Sequence, residues 1–170
     1  MFEAEIAAGI DALIGPGAVA GIDFEAIETA ARRQALHLAA RAVERRLNED
    51  ESDHVGPTLP CRCGQAAHYA GRHAKTITTV LGEIALLRAY YHCAACGAGF
   101  SPRDREMGIE GASLSPALVR MTGLVGSMVS FVEGHTLLKE LAGVPVDSKQ
   151  VERTAEADTD RKSVVQGKSV

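Results

Sequence analysis

Leu59-Pro60-Cys61-Arg62-Cys63-Gly64 and Arg88-Ala89-Tyr90-Tyr91-His92-Cys93-Ala94-Ala95-Cys96-Gly97 bracket the stretch that decides the fold, because they hold all four cysteines of the chain. Two short thiol pairs, each followed by glycine, are the pattern a tetrahedral zinc ion needs. Four soft donors come from two turns, and glycine lets the backbone curl so that amide N–H groups face the sulfurs. The pattern predicts a small β zinc ribbon over residues 61–105 with Cys61, Cys63, Cys93 and Cys96 as ligands to structural Zn²⁺. The first pair is C-x-C, tighter than the common C-x2-C, and 29 residues separate Cys63 from Cys93, more than is usual for such sites. A histidine ligand from His68, His73 or His92 therefore stays open, as do disulfides and free thiols. Two disulfides would require an exported protein. A redox use of Cys93-Ala94-Ala95-Cys96 lacks the βαβ context that lowers a thiol's pKa in such enzymes.

Between the thiol pairs, Ala67 to Arg72 and Lys75 to Val80 read as strands, the second dense in Thr, Ile and Val, with a turn at Gly82. Ile84, Leu86, Arg88, Tyr90 and His92 then alternate with Ala85, Leu87, Ala89 and Tyr91 in a long strand that delivers the chain to Cys93. Tyr90 and Tyr91 fall on opposite faces, one to pack over the ribbon. The segment Arg103-Asp104-Arg105-Glu106 reads as a loop leaving the ribbon, and Arg88, Arg103 and Arg105 are candidate phosphate contacts by charge and position.

Upstream, residues 1–50 read as a helical segment. A short helix precedes the break at Gly15-Pro16-Gly17, and Asp23 caps a helix running to about Asn48. Phe24, Ile27, Ala31, Ala35, Leu38 and Ala42 form one apolar stripe of that helix, and Leu36, Val43 and Leu47 a second. Two stripes suit a helix between layers or one that pairs with a second copy, so a homodimer is one expectation. Residues 51–60 are polar and acidic, carry Pro57 and Pro60, and read as a linker.

Downstream, residues 113–159 read as helical. Ser115 with Pro116 opens one helix, Ser130 with Glu133 is a capping box for another, Ala142-Gly143 ends it, and Asp147 caps a short third. The layout is that of a possible helix-turn-helix whose second helix would meet DNA through Lys149, Gln150 and Arg153. The motif alone is weak, and two packed helices without a DNA contact are the default reading. Asp160 to Val170 reads as the translation of a sequencing-library adapter, a non-native tail set apart from the fold.

Composition narrows the class. With 46% apolar and 24% charged residues over 170 positions, the chain is too apolar for global disorder and long enough for one modest domain or two small modules, and the helices and ribbon strands read above make the expected fold α+β. No apolar run reaches the roughly 18 residues a membrane span requires, and the expectation is a soluble, cytoplasmic protein. Residues 1–55 hold five Lys/Arg against eleven Asp/Glu, and residues 61–105 six against two. A basic ribbon beside an acidic helix suits either nucleic-acid binding or an ordinary solvated surface.

The run from Leu59 to Asp104, with Cys-Arg-Cys-Gly, Leu81-Gly82-Glu83, Arg88-Ala89-Tyr90-Tyr91-His92-Cys93, Cys96-Gly97 and Ser101-Pro102-Arg103-Asp104, resembles the N-terminal region of bacterial ISKra-type insertion-sequence transposases. The similarity spans roughly residues 24–158. It implies a DNA transposase that binds element ends and performs strand cleavage and transfer in a ribonuclease H-like domain. There, Asp, Asp and Glu hold two Mg²⁺ or Mn²⁺ ions that stabilise in-line displacement at phosphorus. That domain follows the region seen here in the family and is expected to be absent from this chain, so no catalytic residue is assigned. A stand-alone zinc-ribbon regulator or adaptor that binds nucleic acid or protein is the alternative.

Overall fold

The computed structural model describes residues 2–14, 23–144, 146, 147, 149, 151 and 153. The break at Gly15-Pro16-Gly17, Gln150 and the adapter-like tail 160–170 lie outside the described residues. The fold combines helices with one antiparallel sheet. Helices α1 (Phe2–Ile14) and α2 (Phe24–Asn48) precede strands β1 (Thr58–Pro60), β2 (Ala66–Thr79), β3 (Gly82–His92) and β4 (Gly99–Phe100). Helices α3 (Pro102–Glu106), α4 (Pro116–Gly126) and α5 (Phe131–Leu137) follow, and a π-helical turn over Leu138–Ala142 continues α5.

The strands form a meander in the order β1-β2-β3-β4. The two strands read between the knuckles are one strand, β2. Its register against β3 slips between Tyr69 and Arg72, where Gly71 has φ +98°; the extra residue is a bulge that bends the strand without ending it. Strand β3 buries its two faces in succession. Ile84 and Leu86 pack with Ile77, Ile109, Ala40 and Leu47 in a core beneath α2, while Ala89, Tyr91 and Cys93 pack with Ala67, Cys61, Leu59 and Phe100 at the knuckle end.

Helix α2 is capped as expected, the Glu25 N–H donating to Asp23 Oδ1 at 3.1 Å. Of the second stripe Leu47, together with Ala40, meets the sheet, whereas Val43 is exposed. On the first stripe Leu38 lies against Gly9 of α1, where any Cβ would come within 3.2 Å of its methyl groups, and Phe24 is exposed.

Side chains from α2 and the segment after it, with Arg72 of β2, also cap the outer edge of β3. The N–H of Ala85 donates to Glu44 Oε2, that of Leu87 to Asn48 Oδ1, and that of Ala89 to Asp53 Oδ2, each at 2.7–2.8 Å. Asn48 Nδ2 donates to the Ala85 carbonyl and Arg72 Nη2 to the Leu87 carbonyl, both at 2.8 Å. An exposed strand edge invites pairing with another chain, and these groups occupy it in place of a neighbouring strand. Asn48→Ala removes two of the bonds, so a stability loss of about 1–3 kcal/mol in urea unfolding is expected; an unchanged midpoint would mean that water replaces them without cost.

The stretch read as a linker, 51–60, is part of the fold. Asp53 is buried, the Tyr91 hydroxyl donates to the Gly56 carbonyl at 2.9 Å and accepts from the Val55 N–H at 3.2 Å, and Thr58–Pro60 pairs with β2. Its polar composition serves long-range hydrogen bonds, a use that composition does not distinguish from solvation. Arg103-Asp104-Arg105-Glu106 is likewise a turn of helix, not a loop, with Ser101 at the N-cap position and Pro102 in its first turn.

Helices α4 and α5 start where expected. Ser115 accepts from the Leu118 N–H, and the Ser130–Glu133 capping box is complete. They enclose a core of Leu114, Leu118, Leu138, Val144, Val146 and Val151. Hydrogen bonds from the Thr78 N–H to the Ser113 carbonyl and from the Ser115 N–H to the Thr78 carbonyl, both 2.9 Å, fasten this unit to β2. No described helix is long and apolar enough to cross a membrane.

Candidate metal centre

Each thiol pair sits on a tight turn closed by backbone hydrogen bonds. In the first, the Gly64 N–H donates to the Cys61 carbonyl at 3.0 Å and the Cys61 N–H to the Gln65 carbonyl at 2.8 Å. In the second, the Gly97 N–H donates to the Cys93 carbonyl at 2.8 Å and the Cys93 N–H to the Ala98 carbonyl at 2.9 Å. Gly64 and Gly97 lie at φ +85° and +70°, where a Cβ is disfavoured, so a glycine after each pair is what these turns require. Gly99, at the start of β4, is needed for space: a Cβ there would lie 1.7 Å from the Tyr90 hydroxyl.

Strands β2 and β3 carry the turns to one point. Cys61 Sγ lies 3.6 Å from Cys96 Sγ and Cys63 Sγ 3.6 Å from Cys93 Sγ, and all four sulfurs fall within 4.8 Å of one another. Bonded sulfurs stand about 2.05 Å apart, so these are free thiols. Four sulfurs at about 2.3 Å from a central zinc would form a tetrahedron with edges of about 3.8 Å. The cluster could therefore hold a metal ion, and its donor set and spacing are consistent with zinc. No histidine belongs to it; His73 instead stacks on Tyr90, ring centroids 4.3 Å apart.

Cys93 and Cys96 part sharply in acidity. The backbone N–H of Cys96, helped by that of Ala95, draws Cys93 down to about 7. The Ala98 N–H acts on Cys96 in the same sense, yet the sulfurs of Cys63, Cys61 and Cys93 outweigh it and push Cys96 up to about 12. Crowded like groups cannot all ionise by themselves. A divalent cation at their centre removes that conflict, which is the chemistry of the donor set.

The expected phosphate contacts scatter. Arg88 is buried, with Nε donating to Asp104 Oδ1 at 2.6 Å and Nη1 to the His73 carbonyl at 2.7 Å. Arg103 is buried too, donating to the carbonyls of Leu47 (2.7 Å) and Asp50 (2.6 Å) and facing Asp53 at 3.4 Å. Both guanidiniums belong to the interior, so the reading of Arg88 and Arg103 as DNA contacts is corrected: a charge already paired inside the protein has no face left for phosphate. Lys75 joins Arg88 on Asp104 and Arg72 joins Arg103 on Asp53. Much of the positive charge of residues 61–105 thus answers carboxylates within the fold. Arg105 is exposed beside the metal centre, and Lys149 and Arg153 are exposed at the far end of the helical unit.

A cleft of about 520 Å³ opens at the cluster, lined by Cys61, Cys63, Cys96, Arg62, Arg105 and Glu110 among others. Glu110 carries no motif in the sequence that marks it as a site residue, whereas the position of Arg62 between two thiols is itself the signal that places it at the knuckle. No family model, curated protein or solved structure matches this chain.

Proposed function

We propose that this chain is the DNA-binding portion of an insertion-sequence transposase of the ISKra type, with structural zinc on Cys61, Cys63, Cys93 and Cys96 and DNA at the element ends as its ligand. The observation that carries the reading is the convergence of C-x-C and C-x2-C on one point at the end of an antiparallel sheet, within the stretch whose sequence resembles those enzymes. The zinc builds the platform by joining β1 to the β3–β4 turn. Arg105, Lys149 and Arg153 supply exposed charge for the phosphate backbone, and the strand-transfer carboxylates and their Mg²⁺ or Mn²⁺ belong to the ribonuclease H-like domain of the family. Exposed Phe24 and Val43 on α2 support pairing of two copies in the assembled complex.

Gel-shift titration of zinc-loaded protein on terminal-repeat duplexes and on scrambled duplexes tests the reading. Tighter binding to the repeats is expected, with log K falling against log salt by about 0.9 per phosphate neutralised. Equal weak affinity for both would remove the specific claim.

A second reading, a zinc-ribbon regulator or adaptor without catalysis, is favoured by one observation. Leu124, Met128, Val132 and Leu141 are 63–75% exposed on the α4–α5 unit, an apolar display more typical of protein contact than of DNA contact.

A further inference from the structure

Arg62, between the thiols of the first knuckle, and Arg105, in the single turn of α3, reach one carboxylate. Arg62 Nη2 lies 3.0 Å from Glu110 Oε1, and Arg105 Nε lies 3.6 Å from Glu110 Oε2. The three side chains are 81%, 67% and 44% exposed, and they share the cleft with Cys61, Cys63 and Cys96. Arg72, Arg88 and Arg103 are different, since each is held by buried or half-buried partners that the fold depends on. Ion pairs as open as those of Glu110 contribute little to stability. Convergence of two exposed guanidiniums on one anion is therefore not explained by folding.

Recognition of an anion would account for it. Guanidinium forks match the paired anionic oxygens of carboxylate and phosphate alike, so a group that seats a carboxylate between two arginines also seats a phosphodiester. We propose that Arg62 and Arg105 form a clamp for a nucleic-acid backbone phosphate at the mouth of the metal centre, and that Glu110 is its built-in competitor, occupying the clamp until a phosphate displaces it. The inference rests on the DNA-binding reading above and adds to it a site and a device that sets affinity. It competes with a simpler role: four thiolates around a divalent cation carry net negative charge, which two nearby arginines would offset.

Salt titration of duplex binding by the full zinc-loaded chain, followed by fluorescence anisotropy, distinguishes these accounts. Arg62→Ala and Arg105→Ala should each flatten the log–log salt dependence by up to about 0.9. Glu110→Gln should tighten binding roughly two- to fivefold, as expected for release of an exposed ion pair. Zinc content should stay at one per chain in all three. Unchanged slopes with an unchanged Glu110→Gln affinity would overturn the clamp while leaving DNA binding intact. Loss of zinc from the arginine variants would assign the pair to the thiolates instead. Effective competition by inorganic phosphate at low concentration would assign the clamp to a free anion and not a diester. Failure of the unaltered chain to bind any duplex at low salt would overturn both this inference and the function it rests on.

Discussion

Removing the metal with a chelator should lower the melting temperature by about 8–16 °C and loosen one end of the sheet while leaving the other packed under α2. A ligand bound only by the native state stabilises by about 4 kcal/mol at a free concentration a thousandfold above its Kd, and each kcal/mol moves Tm by about 2–4 °C in a chain of this size. The loss should be local because the two cores on β3 depend differently on the cysteines. The core of Ile77, Ile84, Leu86, Ala40 and Ile109 contains none of them, whereas the core of Ala67, Ala89 and Tyr91 includes Cys61 and Cys93. With four uncompensated sulfurs at its edge, the second core should open, exposing Tyr91 and the short strands β1 and β4. Hydrogen exchange would show this as lost protection at the amides of Cys61, Tyr91 and Cys93, with protection at Ile77 and Leu86 retained.

Acid should act in the same direction. The folded-state value of Cys93 is depressed below the ordinary thiol range to about 7, so its contribution is complete above that ordinary range and is lost as pH falls through 7. Metal release takes up protons at every thiolate, so bound metal deepens the dependence without reversing its sign. Cys63→Ser and Cys96→Ser should each weaken metal binding. A chain that contains no metal as purified, or whose melting and exchange ignore the chelator, would sink the structural role of the centre.

Legibility in the sequence followed the range of the interaction involved. Asp23, Ser115 with Pro116, and Ser130 with Glu133 act within three residues of themselves, and each starts its helix where its local chemistry says. The thiols act across 30 residues or more, yet they were legible because metal chemistry restricts which residues can meet. Charge carries no such restriction. Arg88 and Arg103 looked like free cations because their carboxylate partners, Asp104 and Asp53, are not marked as partners by any spacing rule. One clue was present: Arg88 shares the alternation of Ile84 and Leu86 on β3, so the same periodicity that buries those residues buries it. The polar stretch 51–60 hid its role in the same way, since Asp53 and Gly56 take partners on β3 some 36 residues away.

Asp53→Ala should cost about 3–5 kcal/mol, the range seen when one member of a buried ion pair is removed and its partner stays charged. The Asp53 side chain is 1% exposed. Its Oδ2 accepts the Ala89 N–H at 2.7 Å, while Oδ1 faces Arg72 Nη1 at 3.0 Å and Arg103 Nη2 at 3.4 Å. Arg103 in turn bonds the Leu47 carbonyl in the last turn of α2, where a cation also complements the helix dipole. One carboxylate thus ties β2, β3, α3 and the end of α2 together, and its loss leaves the nearly buried Arg103 and an edge N–H of β3 without that partner. Asp53→Asn keeps an oxygen for Ala89 but not the negative charge, so it should fall between wild type and Asp53→Ala. Removing Arg72 as well should recover part of the cost, because the double variant buries less unmatched positive charge; the non-additivity in urea unfolding measures that coupling. The broader consequence is cooperativity. If the acidic N-terminal part and the basic sheet fold as one body through this carboxylate, circular dichroism of α2 and tyrosine fluorescence of the sheet should report a single transition in the unaltered chain and separate in Asp53→Ala. A cost under about 1 kcal/mol, with coincident transitions retained, would mean that the network is decoration on a fold held by its apolar cores.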